Sequence, residues 1–161
     1  MKRLALIALI LATPATAQRN ETADRAAIHE LLVDYGRTLD ARDFDAFGKL
    51  FSKDGVYIGG GGAKPQGGTA AAEDMRRVFA ANALGFRSPN FHIFFNETIS
   101  FDGRDRAHAS SMSLYMVPDD SNKPSPALMA RYADDLVREG KHWKFQRRAV
   151  ESLIPSPPPR K

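Results

Sequence analysis

The stretch LVDYGRTLDARDFDAFGKLF, residues 32–51, sets four aspartates among side chains otherwise suited to burial. They cannot share one job. Asp34 falls off the apolar stripe of its helix and reads as solvated. Asp43 sits where its carboxylate can accept the free amides of a following helix. Asp45 lies in that helix's first turn, where a negative charge suits the dipole. Asp40 is left over. It follows Leu39 at the end of a buried stripe, and a carboxylate held there must be paired or hydrogen-bonded. His92 is the candidate partner, because an imidazole held by a carboxylate can move a proton as a general base. A turn in which Asp40 bonds only nearby backbone amides is the alternative.

Periodicity supplies the elements that must position these residues. Residues 22–39 read as a helix with Ile28, Leu31, Leu32, Tyr35 and Leu39 on one face and Thr22 as N-cap. A short helix follows Asp43, with Phe44, Phe47, Leu50 and Phe51 as its apolar face. KDG at 53–55 reads as a turn, and VYI at 56–58 as a short strand. Residues 59–68, GGGGAKPQGG, form a loop. No Gly-Lys-Ser/Thr follows and no GxGxxG register fits, so it reads as a mobile loop or pocket lid, not a phosphate cradle. Thr69 can cap a third helix with Met75, Val78 and Phe79 on its buried side. Strands then cover 90–101, 106–117, 127–139 and 142–150, joined by DGRD, a long loop at 118–126 and EGK. Helices followed by turn-linked strands imply an α+β domain, with the helices on one face of an antiparallel sheet.

Strand alternation puts His92, Phe94, Asn96, Thr98 and Ser100 on one face, and Phe91, Ile93, Phe95, Ile99 and Phe101 on the other. If helices cover the first face, His92 and Asn96 sit in a semi-polar cavity. If water covers it, they are surface residues. Ala107, Ala109, Ser111, Ser113 and Tyr115 share a face whose small side chains either leave room for a ligand or pack under a helix. Tyr132 and Asp134 share a face of the next strand, one that is expected to line the cavity. Arg147 alternates with Trp143 and Phe145. It reads either as an arginine meeting an acidic ligand group or as a solvated one.

A chain of 161 residues argues for one domain. It opens with MKR, an apolar LALIALILA and TPATA, ending in Ala-x-Ala before Gln18. That is the pattern of a cleavable signal peptide over 1–17, too short to span a bilayer. The expectation is a periplasmic or secreted protein cut after Ala17, with no membrane association afterwards. Losing Lys2 and Arg3 lowers the formal charge from +4 to +2, and the remaining basic residues form no stripe with interleaved aromatics, which argues against nucleic acid. Cysteine is absent, which excludes thiol nucleophiles and Cys-ligated zinc. The four histidines lack a His-x-x-x-His spacing, so no metal site is expected. The domain is placed at 22–150, and the proline-rich end, 151–161, reads as a disordered tail.

The segments LLVDYGRTLDARDFDAFGKLFSKDGVY, FHIFFN, DGRDRAHASSMS and RYADDLVREGKHWKFQRR together resemble a SnoaL-like domain of the NTF2-like superfamily, in its scytalone dehydratase and bile-acid dehydratase-like branch. The resemblance covers about residues 24–150. It implies an NTF2-like cone: a curved antiparallel sheet closed by N-terminal helices around a pocket for a small apolar molecule. It also implies that Asp40 is the pocket carboxylate and His92 the catalytic histidine. Tyr35, five residues before Asp40, and Tyr57 resemble the pocket tyrosines of the bile-acid type. The family's second ionisable residue is replaced here by Ser111, which can donate a hydrogen bond but cannot relay a proton at neutral pH. On this reading Asp40 orients His92, His92 takes a proton next to a carbonyl, and Tyr35 or Tyr57 holds the developing enolate. Asn96, Ser111, Tyr132, Trp143 and Arg147 complete the substrate contacts. Losing a β-hydroxyl makes the protein a dehydratase; returning the proton elsewhere makes it an isomerase. No cofactor is required. An exported module that binds small molecules without turnover is the alternative. Dimerisation is common among such domains, and aromatic residues on the outer face of the sheet would be the place for it.

Overall fold

The computed structural model describes residues 20–59, 62–83 and 85–154. The expected signal peptide and the last seven residues of the expected tail lie outside the described residues. Three helices, α1 (Glu21–Asp40), α2 (Phe44–Lys49) and α3 (Gly68–Ala81), accompany five strands. These are β1 (Phe51–Ile58), β2 (Phe91–Phe101), β3 (Arg106–Pro118), β4 (Pro124–Glu139) and β5 (His142–Ile154). One curved, unclosed sheet runs in the order β1-β5-β4-β3-β2. The expected α+β architecture, with N-terminal helices packed on an antiparallel sheet, is present in β2 to β5, and β1 adds a parallel partner to β5. No helix among the described residues is long and apolar enough to cross a membrane.

α1 lays its expected stripe against the sheet: Ile28, Leu31, Leu32, Tyr35 and Leu39 are all buried. Each side chain of that size contributes roughly 1.5–3 kcal/mol by leaving water. The helix begins one residue earlier than expected, because Asn20 rather than Thr22 accepts the Ala23 amide. Asp43 caps α2 as expected, accepting from the Ala46 amide at 2.9 Å. α3 differs: Gly67 stands at its N-cap with no side-chain bond, so Thr69 is inside the helix. Its Val78 is exposed, while Met75 is buried and Phe79 packs against the core.

The expected turn at 53–55 and the helical place given to Phe51 are both corrected. Phe51 opens β1, and the strand passes straight through KDG with an irregularity between Phe51 and Val56. Gly55 allows this, since a Cβ there would lie 2.5 Å from the Phe145 carbonyl oxygen. The long loop at 118–126 shrinks to residues 119–123, because β3 and β4 pair as far as Pro118 and Pro124. The tail expected from residue 151 starts within a strand, where Glu151, Ser152 and Ile154 pair with Arg131, Ala130 and Met129. The loop 59–68 is tied back to β1 at its far end, with the Tyr57 and Gly67 amides bonded to Pro65 and Gly55.

Candidate active site

Asp40 is the last residue of α1, beside the negative end of the helix dipole, where a carboxylate needs donors to be tolerated. His92, the second residue of β2, supplies two. Its backbone N–H donates to Oδ2 at 2.8 Å, and its Nδ1 lies 2.6 Å from Oδ1. The side chains of His92 and Asp40 are only 9% and 17% exposed. With Nδ1–H donated to the carboxylate, Nε2 keeps a free lone pair. Gly36 lets α1 approach this closely, for a Cβ there would meet Phe94 Cε2 at 2.7 Å and His92 Cβ at 3.0 Å. Arg42 closes the helix end by donating to the Leu39 carbonyl and to Asn90 Oδ1. Of the other aspartates in this stretch, Asp34 pairs with Arg37 and Asp45 with Arg76, both at the surface.

The pair lines a groove of about 720 Å³ between α1 and β2, whose walls include Val33, Gly36, Phe91 and Phe94. A second imidazole–carboxylate pair, His29 with Glu97 at 2.9 Å, borders the same groove. Asn96 also lines it. Here β2 bulges, its register slipping between Phe95 and Thr98 and Asn96 taking φ 53°. The described residues of the loop 59–68 do not contribute to the lining.

Behind His92 and Phe94 the cone is filled by its own side chains. The Tyr35 hydroxyl shares a hydrogen bond with Tyr57 at 3.1 Å, and Tyr132 shares one with Ser113 at 3.0 Å. Burial pushes Tyr35 well above the ordinary tyrosine range, lifts Tyr57 to about 12 and raises Tyr132 as well. Arg148 lies at the centre, fully buried, 4.0 Å from the Tyr35 ring, 4.2 Å from Tyr132 and 4.5 Å from Phe145. It donates to Asp134 Oδ2 at 2.9 Å. Burial raises Asp134 to about 6, against the opposing pull of Arg148. Four buried polar atoms here have no hydrogen-bond partner among the described residues: Arg148 Nε and Nη2, Asp134 Oδ1 and Ser111 Oγ.

The expected residues therefore fall into separate places. Asp40, His92 and Asn96 line the groove. Tyr35, Tyr57, Ser111 and Tyr132 belong to the buried interior. Trp143 is corrected: it is buried elsewhere, with its indole donating to Asp24 at 3.3 Å under the Arg138 guanidinium. Arg147 is corrected too, being 44% exposed and 3.9 Å from Asp135 on the outer face. The inward arginine is its neighbour. β5 slips register between Phe145 and Arg147, leaving Gln146 extra, so the alternation that buries Trp143 and Phe145 resumes on Arg148. The same kind of slip in β2 puts Ile99 and Phe101 on the core side with Phe94, while Phe91 and Ile93 face outward. Sequence reasoning missed Arg148, and its one signal was the run of two arginines after an inward aromatic pair.

A helix-covered cone with an imidazole–carboxylate pair at its rim defines a recognisable class of small α+β domain. Residues 20–149 match the SnoaL-like domain family, and the chain belongs to it. No curated protein is similar enough in sequence to match. Among solved structures, an NTF2-like protein with a cystatin-like fold from Novosphingobium aromaticivorans is 25% identical, with TM-score 0.71, covering 84% of this chain and 86% of that one. A candidate scytalone dehydratase from the same organism is 22% identical over 83% and 86%, with TM-score 0.69. A hexachlorocyclohexane dehydrochlorinase, LinA type 2, is 19% identical over 83% and 87%, with TM-score 0.67. At those identities the last two show a shared fold, NTF2-like in kind.

Proposed function

We propose that the protein is a cofactor-independent lyase or isomerase that removes a proton beside the carbonyl of a small, mostly apolar molecule. The observation that carries this is the clamp on His92, whose backbone N–H and Nδ1 both engage Asp40. The clamp fixes the tautomer and orients the ring, so that Nε2 serves as the base; such help is worth roughly 10²–10⁴-fold in rate. A groove with apolar walls suits an apolar substrate. The SnoaL-like family, with NTF2-like neighbours that include a dehydrochlorinase, supports elimination chemistry on this scaffold. The sequence pattern over residues 1–17 supports export of the mature chain.

The test is exchange of α-protons into D2O, followed by NMR with benzylacetone as the probe ketone. Wild type is expected to exchange them above the buffer rate, Asp40→Asn to lose about 10²-fold, and His92→Gln to fall to background. Equal rates in wild type and His92→Gln would sink the proposal. One observation favours the binding-only alternative: Ser111, which cannot relay a proton at neutral pH, is buried on the inner face where a second ionisable residue was expected. That reading predicts saturable binding of the ketone with no exchange.

A further inference from the structure

An imidazole–carboxylate pair stands at each end of the groove, with the parts exchanged between its walls. At one end Asp40 of α1 holds His92 of β2; at the other, His29 of α1 lies 2.9 Å from Glu97 of β2. On α1, His29, Val33, Gly36 and Asp40 follow at i, i+4, i+7 and i+11, which is one stripe along the helix, and all four line the groove. The proposed proton abstraction uses only the Asp40 end.

The far end is a product of the irregularity in β2. Phe95 pairs with Met112 and Thr98 with Ser110, so Asn96 and Glu97 together stand opposite Ser111. With unbroken alternation Glu97 would follow Phe91, Ile93 and Phe95 to the outer face. The slip turns it to α1 instead, and leaves Asn96 in a left-handed conformation at φ 53°. An exposed ion pair contributes too little stability to account for that, whereas bulges commonly re-aim a side chain beside a site. The groups gathered there are acceptors. With Nδ1–H donated to Glu97 Oε2, His29 keeps the Nε2 lone pair, and Glu97 keeps Oε1. The nearby cation, Arg37, is held by Asp34 and Glu30. A ligand group seated at this end must therefore donate, and a carboxylate would be repelled by Glu97. An ammonium would donate too, but losing its water to a groove walled by Val33, Phe91 and Phe94 is costly. A neutral hydroxyl fits.

We propose that His29 and Glu97 form a second ligand subsite, one that accepts the hydroxyl proton of an elongated substrate whose carbonyl end lies at His92. The proposal rests on the reading of this groove as the substrate site. The helix rises about 16 Å from His29 to Asp40, and a contact of about 3 Å at either end leaves about 10 Å between the acidic carbon and the hydroxyl. A phenol para to a short ketone side chain has that reach.

Benzylacetone and its para-hydroxy derivative, which differ only in that hydroxyl, are titrated into the protein and followed by NMR. Wild type is expected to bind the hydroxylated ketone about tenfold more tightly, with the His29 ring protons shifting for it and not for benzylacetone. The ortho isomer, whose hydroxyl falls short of the far end, should bind like benzylacetone. His29→Phe and Glu97→Ala should each abolish the preference; the two side chains are 56% and 28% exposed, so both variants are expected to fold. Equal affinities in wild type, or a preference that survives His29→Phe, would overturn the subsite. The same titrations in His92→Gln keep the two readings apart, for there the preference should persist while α-proton exchange is lost. If wild type shows the preference and no exchange, the subsite stands and the reading of His92 as base falls.

Discussion

At the scale of single residues, the molecule keeps apart two hydrogen-bonded pairs that each hold an aspartate, one at the rim and one in the interior. His92 and Asp40 sit at the rim and line the groove, with the backbone N–H and Nδ1 of His92 both held by the carboxylate. Arg148 and Asp134 are wholly buried. Removing one partner of a buried pair strands the other charge, at a cost of about 3–5 kcal/mol, whereas replacing both with apolar residues costs far less. Arg148→Met should therefore lower the denaturant midpoint sharply, and the double change Arg148→Met with Asp134→Leu should recover much of the loss. Additive losses in urea melts would show that the two residues do not act as a pair. Gly36 makes the complementary case. Alanine improves helix propensity by about 1 kcal/mol, but its methyl would meet Phe94 and His92. Gly36→Ala is expected to leave α1 helical by circular dichroism and to lower α-proton exchange about tenfold, because a small displacement of a base is costly. Unchanged exchange would mean that the helix–strand contact does not set the geometry of the base.

At the scale of elements, what could be read from the sequence followed what keeps a strict period. The stripe of α1 is a 3.6-residue repeat with no interruption, so Tyr35, Leu39 and the place of Asp40 after them were legible. The cap at Asp43 was legible because a carboxylate before a helix has one common use. Strands were legible as elements and not as faces. Alternation is a period of two, and a single bulge inverts everything beyond it. β2 inverts after Phe95 and β5 after Phe145, so Ile99 and Phe101 exchanged faces and Arg148 took the place read for Arg147. Trp143 was read as inward, and it is; what alternation could not show is that the sheet's inner face is long enough to hold a second, separate cluster around Asp24. The turn read at 53–55 failed for a different reason: Lys, Asp and Gly favour turns locally, but the carbonyls of β5 recruit this segment as a strand.

At the scale of the whole molecule, the interior is unusually rich in groups that must stay neutral. All four tyrosines are buried. Tyr35, Tyr57 and Tyr132 are raised by burial, and a group whose folded pKa is raised contributes stability that is present below its unfolded value and lost as pH rises above it. The protein should therefore unfold cooperatively above about pH 10, with tyrosinate absorbance and loss of far-ultraviolet circular dichroism coinciding. Tyrosinate forming well before unfolding would contradict the packing. Asp134 has the same sign at lower pH. Its contribution is complete below about 3.8 and is lost as pH rises through about 6. Because other carboxylates act oppositely, the clean measure is the stability difference between wild type and Asp134→Asn, which should move against wild type between pH 4 and pH 7.

β2 carries the histidine of the site, and it is the last strand of the sheet, paired only with β3 among the described residues. Its outward side chains Phe91 and Ile93 are more than half exposed. An open, apolar strand edge invites other chains to add to it, the first step of aggregation. The kink at Asn96 and Glu97 interrupts that edge at its middle, and the charge of Glu97 is drawn over to His29 on α1. The irregularity that shapes the groove thus also breaks the row of free backbone groups along this edge, and a redesign that smooths β2 is expected to lower solubility as well as to reshape the groove.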